Sequence, residues 1–403
     1  MNTTTLKNCA SVTVLLATLV LNGCSSSSGG GSTDNTTPAA AGTAAYVAEN
    51  TELKGDFAED VTLEAGKTYS IDGAVNFTEG TTLTIPAGTT LYGKTGSSYL
   101  AINRGAQIFA EGTATDPIVF TSAQDIAGTA TVDDQGQWGG LSIMGQSTNN
   151  KGERTYEAGT QLYGPKDGVT IADDDSGVLS YVAIKYSGFE VEVDKELNGL
   201  SLASVGSGTT INNIAIIGSA DDAIEFWGGT VNVNGLYLYN AGDDSIDTDQ
   251  GFTGTVSNVY AEQNVVDDEV GSRCIEADGY DETQSGPFSS IPVMENAILN
   301  CVGRAVRLRE GTGYVFNNVQ VNVTASTDPT VAAMRITDAH TFADGNITTA
   351  GTGIAIKNNV DTSALYHDLD TSNYFGGLTV LEDDDTTLTI TEYDRSWIPG
   401  WSL

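Results

Sequence analysis

The chain has 403 residues, of which 17 are Lys or Arg and 53 are Asp or Glu, so its formal net charge at pH 7 is -36. This charge excludes nucleic-acid binding by counterion release, which requires a basic surface, and it opposes adsorption to an anionic membrane. With 47 glycines, 39% apolar residues and long runs of Thr, Asn, Val and Ile, the composition predicts an all-β protein with a real core and many turns.

Residues 1–23 predict a signal peptide. A positive charge at Lys7 precedes an apolar stretch from Ala10 to Leu21, which falls well short of the roughly 20 residues that span a bilayer. We find no longer apolar segment and expect no transmembrane helix. The residues Leu21-Asn22-Gly23-Cys24 resemble the lipobox of bacterial lipoproteins, in which cleavage before the Cys leaves a lipid-modified N-terminus.

This resemblance implies that Cys24 carries the lipid and anchors the chain in the outer membrane of a Gram-negative bacterium. The outer membrane is expected because Ser25, rather than Asp, follows the Cys, and the periplasmic and extracellular faces both remain open. An ordinary secretory signal with an incidental Cys is the alternative. Residues 24–45 are rich in Ser, Gly, Thr and Ala and predict a flexible tether.

The middle of the chain repeats. Residues 221–227 begin with two Asp and continue as an alternating strand, the same pattern returns at 243–249, and a third copy starts at Asp267-Asp268 and reaches residues 275–278. Such short strands, with no helical pattern between them, must stack on one another to bury their apolar side chains. The repeat predicts a parallel β-helix over residues 46–403, with caps before about Val75 and after about Tyr374. A β-sandwich or propeller is the alternative, although a propeller blade needs about 40 residues.

Cys274 and Cys301 are the cysteines left to the folded part once the leader has removed Cys9 and lipidation has used Cys24. Their separation is close to the repeat length, so neighbouring coils would bring them together. We expect a disulfide in an oxidising envelope, with two separate buried thiols as the alternative.

Several further segments resemble a family of bacterial secreted or lipid-anchored proteins that form right-handed parallel β-helices of the pectin-lyase-like type. The resemblance extends over about residues 50 to 403 and is carried by residues 83–93, 100–108, 111–122, 137–145, 174–182 and 397–401. It implies a single-stranded right-handed solenoid. It says little about function, because this fold hosts lyases, hydrolases, adhesins and binding proteins.

Alternate residues of each β-helix strand point outward, so aligned coils create columns of side chains. If Ile224 and Phe226 point inward, one outward face is acidic in three coils and basic in the next ones. Its predicted members are Glu225, Trp227, Asp247, Asp249, Glu276, Asp278, Arg307, Arg309, Arg335 and Lys357. Trp227, with Tyr237 and Tyr239, would suit sugar stacking if exposed, although inward aromatic residues are the commoner arrangement.

Four carboxylates on this face would disfavour one another's ionisation and need compensation. One candidate is the pair Arg307 and Arg309, and the other is Ca²⁺ held by Asp247, Asp249, Glu276 and Asp278. In pectate-lyase-like proteins, acidic residues on successive coils hold calcium beside an Arg or Lys base, and this face is similar to that plan. The alternative is a solvated ladder of weak ion pairs. The Asp pairs at 221–222, 243–244 and 267–268 are expected to cap turns, with calcium as the alternative.

Our leading hypothesis is a lipid-anchored binding protein without enzymatic activity, which presents this charged face to a glycan or to a partner protein of the outer membrane. The alternative is a calcium-dependent lyase that acts on an acidic, uronate-containing polysaccharide. Hydrolysis of the polygalacturonase type is disfavoured, because the Gly-His-Gly segment of that family is missing and the two histidines, His340 and His367, lie elsewhere. Two His and two Cys also exclude a credible zinc site.

Overall fold

The computed structural model describes residues 37–157, 159–192, 195–264, 273–280, 287–302, 305–324, 334–336, 347–358, 366–367, 390 and 393–400, with the backbone alone for 324, 335–336, 347–358 and 366–367. Outside this part lie the predicted signal peptide, Cys24, most of the tether, Asp267-Asp268 and the start of the predicted C-terminal cap. Within the described residues, no helix has the length and apolar character needed to cross a membrane.

Two short helices and 27 strands make up the described fold. The helices are α1 (Ala44–Asn50) and α2 (Ala123–Ile126). The strands are β1 (Glu52–Phe57), β2 (Val61–Thr62), β3 (Thr68–Phe77), β4 (Thr82–Pro86), β5 (Thr90–Gly93), β6 (Tyr99–Ile102), β7 (Gln107–Glu111), β8 (Ile118–Ser122), β9 (Gly140–Met144), β10 (Arg154–Thr155), β11 (Leu162–Tyr163), β12 (Gly177–Ser187), β13 (Glu190–Glu192), β14 (Lys195–Glu196), β15 (Leu200–Ala203), β16 (Thr210–Ser219), β17 (Ile224–Trp227), β18 (Asn232–Ala241), β19 (Ile246–Asp249), β20 (Thr255–Glu262), β21 (Ile275–Asp278), β22 (Val293–Val302), β23 (Val306–Arg309), β24 (Tyr314–Thr324), β25 (Met334–Ile336), β26 (Ile347–Asn358) and β27 (Tyr366–His367).

Twenty-three of these strands pair in parallel, each with its counterpart one coil away, so the protein is the predicted right-handed parallel β-helix. The strands form three stacks. The first contains β2, β4, β7 and the first halves of β12, β16, β18, β20, β22, β24 and β26. The second contains the first halves of β1 and β3, then β5, β8 and the second halves of the same long strands. The third contains the second halves of β1 and β3, then β6, β9, β15, β17, β19, β21, β23, β25 and β27.

The bend between the first and second stacks is made by one residue in the left-handed region of each long strand from β12 to β24. In successive coils this position holds Tyr181, Asn213, Gly235, Asn258, Asn296 and Asn318. Asn and Gly adopt a positive φ at low cost, which explains why they fill most of these positions. The amide of Asn318 also donates to Oδ1 of Asn296 at 2.8 Å, so the side chains of the bend connect neighbouring coils.

The interior of the coils is a continuous apolar core. Phe57 and Phe77 stack with ring centroids 4.8 Å apart, and Phe226 and Phe252 do so at 4.3 Å. At the N-terminal end, α1 buries Val47 against this core. Strand β1 already pairs in parallel with β3, so the coils begin before Val75, within the segment that was expected to be a cap, and α1 includes the last two residues of the expected tether.

Near the C-terminus, the described segment 393–400 lies against the outside of the second stack. Trp397 and Ile398 are buried there in a cluster with Tyr181, Tyr237 and Tyr239. The guanidinium of Arg395 lies over the ring of Tyr260, 4.5 Å from its centroid. The outward tyrosines that seemed suited to sugar stacking are therefore covered by the chain itself.

Cys274 and Cys301, the two cysteines expected to pair, are joined by a disulfide in the structure, and both are fully buried. Cys274 immediately precedes β21, and Cys301 lies near the end of β22. The bond therefore fixes the entry into one of the strands that carry the acidic face.

Candidate functional site

The third stack aligns the predicted column of outward residues. Its pairing register places Ser142, Ser201, Glu225, Asp247, Glu276, Arg307 and Arg335 opposite one another in successive coils. The order of acidic and basic residues read from the sequence is therefore confirmed as a geometric column. The side chain of Arg335 lies outside the described residues.

A parallel column two residues further along each strand contains Ala203, Trp227 and Asp249, and Asp278 lies opposite Arg309. Lys357 was expected to extend the basic part of this face, but its backbone pairs with Asn322 in the second stack. The error arises because strands of all three stacks share the same alternating pattern. After Arg335, the residue next in the first column is His367.

The acidic face is not a solvated ladder, which corrects one of the expectations from the sequence. Asp249, Glu276 and Asp278 are only 8%, 6% and 5% exposed. An antiparallel hairpin formed by β10 and β11 covers this part of the third stack, and its Tyr156 hydroxyl contacts Oγ of Ser142 at 2.9 Å and of Ser201 at 3.0 Å. The hydroxyl of Tyr163 donates to Oε1 of Gln250 at 3.0 Å.

The hairpin and the third stack enclose a cavity of about 520 Å³, which we call the acidic cavity. Six carboxyl groups and two guanidinium groups contribute to its wall, together with aromatic and amide side chains. The lining residues are Arg154, Thr155, Tyr156, Glu157, Tyr163, Glu225, Trp227, Asp247, Asp249, Gln250, Asp278, Arg309 and Glu310.

Trp227 lies at the wall of the acidic cavity and is 7% exposed. Its ring centroid is 5.3 Å from that of Tyr156, edge to face, and 6.4 Å from that of Tyr163. It points out of the coil, as predicted, but it packs under the hairpin instead of offering an open face to solvent.

The basic end of the face is tied to the acidic residues next to it. Glu276 accepts from Nη1 of Arg273 at 2.7 Å and from Nη1 of Arg307 at 3.0 Å, and Nε of Arg309 lies 3.2 Å from the same carboxylate. Arg309 also donates to Asp278. Three guanidinium groups thus compensate Glu276, and one of them compensates Asp278.

A further column of polar residues lies at the turn that precedes each of the third-stack strands β15, β17, β19 and β21. Asn198 Oδ1 accepts from the backbone of Asp222 at 3.1 Å, and Asp222 Oδ1 accepts from the backbone of Asp244 at 2.9 Å. Nη1 of Arg273 then contacts Asp244 Oδ2 at 3.3 Å. The second Asp of each described pair therefore bonds to a neighbouring coil, instead of only capping its own turn as the sequence suggested.

Among the residues that the structure describes, three groups of carboxylates have oxygen atoms within 4.8 Å of one another. They are Asp222 with Glu225 and Asp247, Asp244 with Asp247 and Glu276, and Asp221 with Asp222 and Asp243. Of the four residues expected to hold calcium, Asp247 and Glu276 belong to these groups. Asp249 and Asp278 lie outside them, in the wall of the acidic cavity.

The group Asp222, Glu225 and Asp247 fits a calcium ion best. Glu225 Oε2 accepts a hydrogen bond from Asn198 Nδ2 at 2.5 Å, and Asp222 Oδ1 accepts from the backbone of Asp244 at 2.9 Å. The buried Oδ1 of Asp247 has no hydrogen-bond partner among the described residues. The ion pairs described in this region reach Asp244, Glu276 and Asp278 but none of these three carboxylates. Ca²⁺ is a hard cation that binds carboxylate oxygens, and these three carboxylates offer such oxygens without an ion pair to a Lys or Arg among the described residues.

Burial raises the pKa of Asp222, Glu225 and Asp247 well above the usual range, and neighbouring carboxylates raise each pKa further. For Asp278, burial raises the pKa to about 7 although the hydrogen bond from Arg309 opposes this shift. Ionisation of these groups is therefore less favourable in the folded protein than it is in water.

The two arginines proposed as a lyase base differ in environment. Burial alone would lower the pKa of Arg309, but its hydrogen bond to Asp278 and the surrounding carboxylates raise it above the ordinary value. Burial lowers the pKa of Arg307. Of the two, Arg309 lines the cavity, so the guanidinium placed to reach a ligand is the one that holds its proton more tightly.

The sequence analysis did not predict that Asn198, Arg273 and the hairpin residues belong to the site. A signal existed for the first two, because each precedes a third-stack strand by the same two positions as Asp222 and Asp244. No repeat signal exists for Arg154, Tyr156 or Tyr163, because the hairpin belongs to a single long connection between β9 and β12.

Comparison with known proteins gives one match. The family model of the pectate-lyase-like beta helix domain matches residues 55–401. No curated protein matches the chain, and no solved structure does. The family is consistent with a function related to carbohydrates. Because the match extends over most of the coils and the acidic cavity, the chain belongs to the family of pectate-lyase-like β-helix domains.

Proposed function

We propose that this protein binds a carbohydrate in the acidic cavity, without catalysis, and that Ca²⁺ held by Asp222, Glu225 and Asp247 forms part of the site. The observation that carries the proposal is a cavity in which carboxylates, amides and aromatic side chains converge under the hairpin. Ligand sites of small molecules are concave, partly aromatic and oriented by a few polar groups.

Calcium accounts for the charge of the cluster. The free energy of burying several carboxylates is unfavourable unless protons or cations compensate them, and the raised pKa values of these carboxyl groups reflect this cost. Ca²⁺ would displace these protons and offer further coordination positions to ligand hydroxyl groups.

The second candidate is the calcium-dependent lyase acting on a uronate polysaccharide. It is supported by the ordering of carboxylates and arginines along one column. Against it stand the raised pKa of Arg309, which makes this residue a poorer base, and the excess of carboxylates in the wall, which repels a polyanion. Binding is therefore the function that the geometry favours.

A calorimetric titration with Ca²⁺ tests the proposal. The chain from residue 24 onward, produced without lipid, should bind Ca²⁺ with a Kd below about 10 µM, within the range of protein sites built from several carboxylates. Asp247→Asn should weaken binding at least about tenfold, because it removes one of the three ligand carboxylates. Glu64→Gln is the matched control, since Glu64 is exposed and lies far from the cavity wall.

Equal Ca²⁺ binding by the wild type and Asp247→Asn would remove calcium from the proposal. Glycan arrays and release of unsaturated uronate products then separate the two candidate functions. Binding without release of products supports the binding protein, and product release that disappears in Arg309→Ala supports the lyase.

We also propose that the protein works at the outer membrane, attached through a lipid on Cys24, where a glycan or a partner protein meets the β-helix. The lipobox-like segment before the tether supports this placement.

A further inference from the structure

The hairpin of β10 and β11 borders a second cavity, of about 350 Å³, which we call the N-terminal pocket. Asp56 on β1 and Asn76 on β3 belong to its wall, and the hairpin segment contributes Gln161 and Leu162. Among the described residues, none lines both this pocket and the acidic cavity. The two cavities are therefore distinct sites of the same protein.

The N-terminal pocket lies on the first outward column of the third stack, nearer to the N-terminus than the acidic cavity. Asp56 lies opposite Asn76, and Asn76 lies opposite Ala101. Ala101 pairs in turn with Ser142, in the part of the column that leads to Glu225. The hairpin packs on the small residues of this column, so a cavity lies on each side of that contact.

The polar groups of the pocket wall are fixed by hydrogen bonds to one another. Nδ2 of Asn76 donates to Oδ1 of Asp56 at 2.7 Å, and Nε2 of Gln161 donates to Oδ1 of Asn76 at 2.6 Å. Nε2 of Gln161 also donates to the hydroxyl of Tyr99 at 3.2 Å. These bonds join two coils to the hairpin segment and hold the carboxamides in one arrangement, which lowers the entropic cost of binding a ligand.

The formal charges of this wall cancel. Nζ of Lys166 donates to both carboxylate oxygens of Glu79 at 2.7 Å, and Nη1 of Arg104 lies 2.8 Å from Oε2 of Glu153. The wall contains one further carboxylate, that of Asp56, so it has two acidic and two basic side chains. A charged ligand therefore gains little from the net charge of the pocket, although the chain as a whole has a net charge of -36.

One acceptor in the wall lacks a donor. Oδ1 of Asn103 is buried and has no hydrogen-bond partner among the described residues. A buried acceptor without a partner is unfavourable, and a hydroxyl group of a ligand is a donor that can satisfy it. Leu162, which is 40% exposed, adds an apolar surface to the same wall. Carboxamides, paired charges and an apolar side chain together match a ligand that has hydroxyl groups and no net charge.

From these contacts we infer that the N-terminal pocket is a second ligand site, which binds an uncharged saccharide. The inference goes beyond the proposed function, because it uses neither the calcium ligands nor the wall of the acidic cavity. Hydroxyl groups donate and accept hydrogen bonds, as carboxamides do, so the two kinds of group are complementary. An anionic sugar, by contrast, meets two basic side chains that are already paired with carboxylates.

Calorimetry on the chain from residue 24 onward tests the inference, in the presence of a chelator that keeps the calcium site empty. The uncharged probes are cellotetraose, maltotetraose and mannotetraose, and the charged probes are the tetramers of galacturonate and glucosamine. We expect at least one uncharged tetramer to bind with a Kd of about 1 mM or below, and at least about tenfold more tightly than both charged tetramers. Its affinity should not depend on salt.

Two variants locate the binding. Asn103→Ala should weaken it about fivefold, the contribution of one hydrogen bond between uncharged groups, without lowering the Tm, because Oδ1 has no partner in the free protein. Thr160→Trp places a large side chain at an exposed position of the wall and should abolish binding. Asn50→Ala, at an exposed carboxamide outside both cavities, is the matched control. Asp247→Asn should also retain the wild-type affinity for the uncharged tetramer.

The outcomes separate this inference from the proposed function. Absence of binding by all three uncharged tetramers overturns the inference and leaves the calcium titration unaffected. Binding that is lost in Asp247→Asn but kept in Thr160→Trp assigns the saccharide to the acidic cavity, which overturns the inference and supports the proposed function. Equal or tighter binding of a charged tetramer overturns the ligand class. Because Thr160 is exposed, its variant remains decisive even if Asn103→Ala does not fold.

Discussion

Asp247 links the carboxylate groups of the third stack, because its side chain lies close to carboxylates of two of them. It belongs to two of the three carboxylate groups found among the described residues. Its charge also interacts with Asp249 on its own strand, with Glu276 and Asp278 on β21 and with Arg309 on β23. Burial and these carboxylates raise its pKa well above the usual range. Its ionisation is therefore coupled to the stability of the whole site.

The cluster should make the protein less stable as pH rises. A carboxyl group with a raised pKa binds a proton more tightly in the folded than in the unfolded state, so its contribution is present at low pH and is lost as pH increases. For Asp278 the window runs from about 4 to about 7. Without Ca²⁺, thermal unfolding should show a Tm that declines across this range.

Asp247→Asn should flatten this decline, because it removes one charge that its neighbours oppose. We expect the variant to be about 1 to 3 kcal/mol more stable than the wild type at pH 7.5 and to differ little at pH 4.5. Denaturant unfolding at both pH values, in the presence of a chelator, measures the difference. A variant that is less stable at pH 7.5 would show that the carboxylate is compensated in the folded protein.

For single residues, the sequence predicted well which side chains point out of the coil, but it predicted poorly how far those side chains are exposed to solvent. The two-residue period placed Glu225, Asp247 and Glu276 in one column, because the repeat itself sets the register. It could not show that these side chains lie under a hairpin, because the hairpin comes from a connection with no repeat.

The hairpin of β10 and β11 is the element that turns a β-helix face into a cavity. It is short, with two paired residues in each strand, so its own hydrogen bonds cannot hold it in place. Its attachment depends on Tyr156, which is 1% exposed and bonds to Ser142 and Ser201, and on Tyr163, which bonds to Gln250. These contacts are tertiary and leave no pattern in the local sequence.

Tyr156→Phe should loosen the hairpin while preserving the ring that packs against Trp227. The substitution leaves two buried serine hydroxyls without their partner, which costs about 1 to 3 kcal/mol. We expect faster proteolysis within residues 150–165 and a weaker affinity for the cavity ligand, with little change in Ca²⁺ binding. The matched control is Tyr46→Phe, whose hydroxyl bonds to Glu52 in the N-terminal coil. Hairpin proteolysis at the wild-type rate would contradict this account.

Among the elements, the strands of the third stack were the most predictable from the sequence, because the repeat at 221–227, 243–249 and 275–278 sets their register. The bends of the long strands were not predicted, although one residue type marks most of them. Asn213, Asn258, Asn296 and Asn318 occupy equivalent left-handed positions because Asn tolerates a positive φ. The N-terminal coil was less readable: β1 begins at Glu52, where the sequence has turn-forming residues but no copy of the central repeat.

The whole molecule combines a strongly acidic β-helix with a leader that resembles that of lipoproteins. A net charge of -36 opposes attachment to anionic lipids by electrostatics, since each basic residue near such a surface contributes only about 1 kcal/mol and the chain has few. Under the proposed lipidation, membrane attachment therefore depends on the lipid at Cys24.

Cys24→Ser should accordingly release the protein from the membrane. In a Gram-negative host supplied with an alkyne-labelled fatty acid, the wild type should carry the label and sediment with the outer membrane, even after a wash at high salt, because acyl-chain burial is insensitive to ionic screening. Cys24→Ser should carry no label and appear in the soluble fraction. Cys9→Ser is the matched control, since Cys9 lies within the predicted signal peptide and should leave labelling intact. Labelling of Cys24→Ser, or release of the wild type by salt, would show that membrane attachment does not depend on a lipid at Cys24.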